Sequence, residues 1–331
     1  MASPPFEGPE VPLVVRTADA CFENLSDFPF EPRYLEVSNP VGAGTLRMAY
    51  IDEGPPDGPV VLMTHGEPSW SFLYRKLIPV LVGAGFRAIA PDDIGFGRSD
   101  KLTNPTHYTF ERHIEWIREL VVTLDLREIT SISQDWGGPL ALGTLAREMD
   151  RFTRVVVANT MLHTSEIELK DRLVLANHGL RDTDEVVGGF LLDWSRSSHR
   201  ETDFRASSAF VATARGISPE VAAAYDAPFP SEWHKAGMRQ FPLLIPLTRQ
   251  DVGSAINRSI WDALGHFDRP LLTLFGDSDP STKGWEKIFQ ERVPGAKGQP
   301  HQTLERAGHF WQEDCGAEAA HIVIDWIRSK T

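Results

Sequence analysis

Residues 129–138 read Ile-Thr-Ser-Ile-Ser-Gln-Asp-Trp-Gly-Gly, and Pro-Leu-Ala-Leu-Gly-Thr-Leu-Ala follows them. The first half is a short β pattern closed by Ser133. The second repeats apolar residues at helical spacing. A strand must become a helix here with almost no loop, and Asp135 stands at the apex. So tight a reversal requires small residues on both sides, and Ser133 and Gly137 supply them. The unit reads as a nucleophile elbow of strand, turn and helix. It predicts a strained, exposed Asp135 at a helix N-terminus, where backbone N–H groups and the dipole favour negative charge. Taken alone, the same residues also read as an Asp N-cap with a glycine turn.

Aspartate at such an apex points to particular chemistry. A hydroxyl oxygen that displaces a leaving group from saturated carbon makes an ether, which water does not readily open. A carboxylate makes an ester, which water opens at the carbonyl. Asp135 therefore suggests alkyl transfer from sp³ carbon followed by ester hydrolysis.

Working outward, residues 34–38 and 45–52 alternate apolar and polar on either side of Asn-Pro-Val-Gly-Ala-Gly, an antiparallel hairpin at a sheet edge. Residues 60–64, Val-Val-Leu-Met-Thr, are a continuous apolar run, as a strand buried on both faces requires. His65-Gly-Glu-Pro follows at once. Residues 70–81 read as a helix, 86–91 as a strand and 92–100 as a glycine-rich loop. Residues 108–124 are amphipathic, with Ile114, Ile117, Leu120, Val121 and Leu124 on one stripe. Residues 154–159 make a sixth strand. The alternation predicts a mostly parallel sheet with helices on both faces and chemistry at the C-terminal strand ends.

Residues 165–250 break the pattern with helix-like segments, proline interruptions and no clear strand, and they are too long for a loop. They are expected to form a helical cap inserted after the sixth strand, with 1–164 and 251–331 as the core domain. The sheet resumes at 270–276 and 301–305, giving eight strands, with helices near 282–290 and 317–328.

Composition narrows the classes. With 41% hydrophobic and 24% charged residues the chain is an ordinary globular one, and its net charge of −13 argues against nucleic acid and anionic membrane surfaces. No apolar run reaches the roughly 18 residues of a membrane span. The N-terminus lacks the basic start and apolar core of a secretory signal. Cys21 and Cys315 match no metal spacing and read as free thiols in a reducing cytoplasm. The Pro-rich first twelve residues are expected to fray.

Asp135, Asp279 and His309 sit at the ends of different strands in the order nucleophile, acid, histidine. A neutral His309 takes a proton from water while Asp279 holds the ring and stabilises the imidazolium. Asp277 is the competing acid, and Asn159-Thr160 offers no carboxylate. His65-Gly-Glu-Pro suits an oxyanion loop, in which the backbone N–H groups of Glu67 and Trp136 hold the ester oxygen. Trp136 follows the apex directly and offers an indole N–H, a donor with no acceptor capacity, to a leaving anion. A second donor is expected from the cap, and Trp194 is the candidate.

These stretches resemble the haloalkane dehalogenases, a branch of the α/β-hydrolase superfamily. The resemblance runs from about residue 14 onward. It rests on His65-Gly-Glu-Pro-Ser-Trp-Ser-Phe-Leu-Tyr-Arg-Lys-Leu-Ile-Pro, Gly95-Phe-Gly-Arg-Ser-Asp-Lys, Gln134-Asp-Trp-Gly-Gly, Ala227-Pro-Phe-Pro and Ala307-Gly-His-Phe-Trp-Gln-Glu. It implies an α/β-hydrolase fold acting on small haloalkanes and water without cofactor or metal. Asp135 would be the nucleophile, His309 the base, Asp279 the acid, and Trp136 with Trp194 the halide clamp. Glu67 fits the subfamily that clamps halide with two tryptophans. Pro139 and the Pro-Ser-Thr after Asp279 depart from the family pattern at positions expected to line the pocket. A monomer in the cytoplasm is expected. An epoxide hydrolase is the nearest alternative, but it needs two cap tyrosines, and of five tyrosines only Tyr225 lies in the cap.

Overall fold

The apolar run at 60–64 becomes the strand β4 (Val60–Thr64), buried at every residue. The other strands are β1 (Val14–Val15), β2 (Arg33–Ser38), β3 (Thr45–Glu53), β5 (Arg87–Pro91), β6 (Lys101–Leu102), β7 (Ile129–Gln134), β8 (Phe152–Ala158), β9 (Leu271–Gly276) and β10 (Gln302–Leu304). The computed structural model describes residues 13–165, 194–195, 197–199 and 201–329. Among them, eight strands form one sheet in the order β10-β9-β8-β7-β4-β5-β3-β2. The pairs from β10 through to β5 are parallel, and the β2–β3 hairpin closes the edge antiparallel.

Strand alternation divides the core between the two faces of this sheet. Val60 and Leu62 pack with Ile114, Ile117 and Leu120 of the helix Phe110–Thr123. Val61 and Met63 pack with Trp311, Val323 and Ile324 of the helix Trp311–Arg328. Both faces are covered by helices, as a parallel sheet demands. In register, Thr64 pairs with Ser133 and Gln134 with Ala158. The ends of β4, β7 and β8 are therefore level, and the residues after each emerge side by side.

Three expectations shift. The helix expected at 70–81 is two pieces, a 3₁₀ turn Ser71–Tyr74 and a helix Ile78–Gly83. Pro79 lies in the first turn of the second piece, where its fixed φ and missing N–H are tolerated. The last helix starts at Trp311 rather than near 317 and runs through a kink at Cys315 (φ −145°). The ribbon pairing β1 with β6 was not expected, because two-residue strands carry no periodicity.

Between β8 and β9 the described residues form the helices Ser207–Thr213, Pro219–Asp226, Ala236–Gln240 and Val252–Leu264 and two 3₁₀ turns, residues 194–195 and 197–199 are also helical, and there is no strand among the described residues. The fraying expected of 1–12 and the first part of the expected cap, 166–193, lie outside the described residues. No helix among the described residues is long and apolar enough to cross a membrane.

Candidate active site

Asp135 has φ +51°, in the left-handed region that a residue with a side chain enters at a cost. Its backbone is fixed on every side. Its N–H donates to Asn159 O at 2.9 Å, and its carbonyl accepts from Gly138 N–H at 3.0 Å and from Thr160 Oγ1 at 2.7 Å. A Cβ at Gly137 would lie 2.1 Å from Thr64 O, so the strand-to-helix crossing closes only with glycine there. In one respect the expectation fails. Asp135 is only 8% exposed, because residues from the β8–β9 segment, including Trp194, Pro242 and Ile245, wall its cavity.

His309 comes to Asp135 from the loop after β10. Its Nε2 is 3.4 Å from Asp135 Oδ2, and its Nδ1 is 3.1 Å from each Asp279 oxygen. Asp279 also accepts the Ser281 N–H at 2.8 Å and the Thr282 hydroxyl. Burial pushes the His309 imidazole down, but Asp279 and Asp135 outweigh it and hold the ring up at about 10. Burial pushes the Asp279 carboxyl up, and His309, Thr282 and the Ser281 N–H hold it below the usual range. The ring thus sits between two carboxyl side chains that both favour its protonated form. Asp277 instead accepts from Arg306 N–H and Ser278 at the surface.

Two residues hold this frame without having been singled out in the sequence. Asn159 Nδ2 donates to Gly308 O at 2.7 Å and His309 O at 3.0 Å, and its Oδ1 accepts Gly276 N–H at 2.8 Å. One amide thus ties the end of β8 to the end of β9 and to the histidine loop. Gln134 Nε2 donates to His309 O at 3.2 Å and lies 3.1 Å from His309 Nε2. The signal for both was position, since each ends a parallel strand beside the elbow.

The Glu67 N–H donates to Asp135 Oδ1 at 2.9 Å. A Cβ at Gly66 would lie 2.3 Å from that oxygen, so this loop approaches the carboxylate as only glycine allows. Trp136 is the N-cap of the next helix, Gly137–Arg147, where first-turn N–H groups have no helical acceptor. Its indole lines the cavity, wedged edge-on between Phe110 and Phe241. Trp194 also lines the cavity, but its indole N–H donates to Glu67 Oε2 at 2.7 Å. Burial drives the Glu67 carboxyl well above the usual range, against the Trp194 N–H and helped by Asp135. Its charged form is thereby disfavoured, which limits negative charge on the cavity wall beside Asp135. Pro139 and Ser281 line the cavity, as do Met161, His163 and Asn257, on which no functional expectation had fallen.

The family model of the alpha/beta hydrolase fold matches residues 59–283. A haloalkane dehalogenase of Psychrobacter cryohalolentis is 44% identical over 315 residues, 95% of this chain and 98% of that one. One of Mycobacterium marinum is 42% identical, over 95% of this chain and 99% of that one. Among solved structures, the tetrameric haloalkane dehalogenase DpaA of Paraglaciecola agarilytica superimposes with a TM-score of 0.78 at 32% identity, covering 93% of this chain and 97% of that one. A carboxylate elbow facing a histidine–aspartate pair, and relatives alike over nearly their whole length, lead to one conclusion: the chain belongs to the haloalkane dehalogenases of the α/β-hydrolase fold.

Proposed function

We propose that the protein hydrolyses the carbon–halogen bond of small haloalkanes through a covalent ester on Asp135. An Asp135 oxygen attacks the halogen-bearing carbon as the carbon–halogen bond breaks, and the electron pair leaves with the halide. Trp136 and Trp194 receive that anion through their indole N–H groups. His309 then takes a proton from water as the water oxygen attacks the ester carbonyl, and the Glu67 and Trp136 N–H groups hold the developing oxyanion. Haloalkane and water become alcohol, halide and a proton.

The observation that carries the reading is the spacing of Asp135 and His309 inside one cavity, with Asp279 behind the histidine ring. Their charges also order the two steps. Before the attack, Asp135 is a carboxylate and His309 is held protonated beside it. Esterification removes the charge on Asp135, and with it one of the two carboxylates that raise the ring. The imidazolium then releases its proton to solvent more easily, which is the proton the reaction yields, and leaves the neutral base that the second step needs. Gln134 Nε2, 3.1 Å away, is a donor suited to the neutral ring.

In this reading residues 165–250 are the cap, the partners are haloalkane, water and halide, and the chain is a monomer of the cytoplasm. An epoxide hydrolase is disfavoured by a specific contact: the hydroxyl of Tyr225 donates to Glu313, away from the cavity.

The His309→Gln variant tests the mechanism. It should form the ester but not open it, so intact-mass measurement after 1,2-dibromoethane should show a persistent adduct that peptide mapping places on Asp135. No adduct, or one on another residue, would overturn the mechanism.

A further inference from the structure

His113 is a buried titratable side chain that the mechanism leaves unused. It lies near the start of the helix Phe110–Thr123 and is 1% exposed. Neither ring nitrogen finds a hydrogen-bond partner among the described residues. Burial, helped by His65, holds the imidazole well below the usual histidine range, so the ring is uncharged at neutral pH. Its neighbours are rings. Tyr108 stacks on it at 5.8 Å, Trp116 meets it edge-on at 5.1 Å and Phe241 meets it at 4.1 Å. That last distance is shorter than most aromatic pairs show, an approach that a five-membered ring permits.

The contact joins the core to the segment between β8 and β9. Phe241 opens the 3₁₀ turn Phe241–Leu244, and the next residue, Pro242, lines the cavity. A Cβ at Gly237 would lie 3.0 Å from Tyr108 Cε1, so the backbone just before Phe241 rests on the ring that stacks on His113. Phe241 also meets Trp136 edge-on at 5.2 Å. His113, Phe241 and Trp136 are therefore a row of rings that ends at the cavity. Phe110 closes on Trp136 at 5.4 Å. Phe110 and His113 are three residues apart and share a helix face. Both ring contacts that hold the Trp136 indole thus trace back to one helix, Phe110 directly and His113 through Phe241.

We infer that His113 is a positioning residue for the halide-binding indole, fixing through Phe241 the direction in which the Trp136 N–H points. The inference rests on the role given to Trp136 above. A single N–H holds an anion best when its ring cannot tilt, and the tilt of Trp136 is limited by Phe110 and Phe241. Without the ring at 113, Phe241 gains space behind it and Trp136 loses a fixed wall.

Saturable quenching of tryptophan fluorescence by bromide reads the indole site, and thermal unfolding reads the fold. His113→Leu and His113→Gln remove the ring at similar side-chain volume, and each should raise the bromide Kd about fivefold, the worth of one aromatic pair. The kcat/KM for 1,2-dibromoethane should fall by a similar factor, since the same indole receives the charge developing in the transition state. Val121→Ala, two turns along the same helix, should lower the unfolding temperature yet leave the Kd within about twofold. Phe241→Leu should by itself weaken bromide binding about fivefold, and adding His113→Leu to it should cost little more. Wild-type affinity in the folded His113 variants, or in Phe241→Leu, would overturn the inference. So would a full further loss in the Phe241→Leu background, because the effect would not then pass through Phe241. A Kd shift in Val121→Ala as large as in His113→Leu would make His113 ordinary packing and overturn it too. Bromide affinity unchanged in Trp136→Phe would instead sink the role of Trp136 itself.

Discussion

At the scale of single residues, the burial that disfavours a charged Glu67 favours an anion sharing the cavity with Asp135. Glu67 Oε1 has no partner among the described residues, and its Oε2 accepts the Trp194 N–H. A halide that recruits Trp194 must therefore compete with a carboxyl oxygen, and it competes better against a neutral carboxyl than against a carboxylate. Two substitutions separate the contributions. Trp194→Phe removes the donor and should weaken bromide binding, read by quenching of the remaining tryptophans, by about tenfold or more, since charge-assisted bonds are worth roughly 1.5–3 kcal/mol. Glu67→Gln supplies an uncharged acceptor, so below the Glu67 pKa affinity should stay within about twofold. The sign at high pH follows from the direction of the shift. Glu67 is neutral below its raised pKa, so wild-type bromide binding should weaken as pH rises through that value, and the Gln variant should lack this step. A wild type and variant with identical pH profiles would show that Glu67 does not titrate beside the anion. Trp233, another tryptophan of the β8–β9 segment, is 49% exposed and does not line the cavity, so it is no substitute for Trp194.

At the scale of elements, one buried ion pair anchors the helix Pro219–Asp226 to the core. Arg75 Nη2 donates to Glu313 Oε2 at 2.7 Å, both side chains are 2% exposed, and the Tyr225 hydroxyl donates to the same carboxylate. Removing one member of such a pair strands the other, at a cost of roughly 3–5 kcal/mol. Glu313→Gln should therefore lower the thermal unfolding midpoint by several degrees. Tyr225→Phe leaves the ion pair in place and should cost only about 1–2 kcal/mol. Equal losses in calorimetry would mean that the tyrosine, not the ion pair, carries the anchor. The helix itself reads from its sequence, with Ser218 as N-cap accepting from Val221 N–H and Pro219 in the first turn. Its partner does not, because Arg75 and Glu313 are 238 residues apart and nothing local couples them. The same division runs through the site. Asp135, Asp279 and His309 were legible because each follows a strand whose own pattern is visible. Asn257 lies inside a regular helix and reaches the cavity only through tertiary packing, so no local signal marks it. The burial of Asp135 was missed for the same reason, since the elbow motif fixes the backbone but the covering residues come from beyond β8.

At the scale of the whole molecule, the reaction turns a neutral substrate into an anion inside a protein of net charge −13. The mean potential around such a molecule repels halide and leaves a haloalkane untouched, so it acts on product and not on substrate. Lengthening the Debye screening distance from about 8 Å at physiological ionic strength to about 30 Å at 0.01 M exposes more of that potential. A difference of roughly 0.5–1 kcal/mol at the cavity mouth corresponds to about a threefold change in affinity for a singly charged ion. Bromide should therefore bind about threefold more weakly at low ionic strength than at high, with a non-halide salt as the screening electrolyte. Over the same range kcat/KM for 1,2-dibromoethane should stay level, because neither attacking carboxylate nor neutral carbon meets the long-range field as a mobile charge. Parallel titrations of bromide quenching and of turnover at several ionic strengths read both quantities. Bromide affinity that falls with added salt would mean that the local donors, the indole N–H groups and first-turn amides, attract the ion from a distance more strongly than the acidic surface repels it.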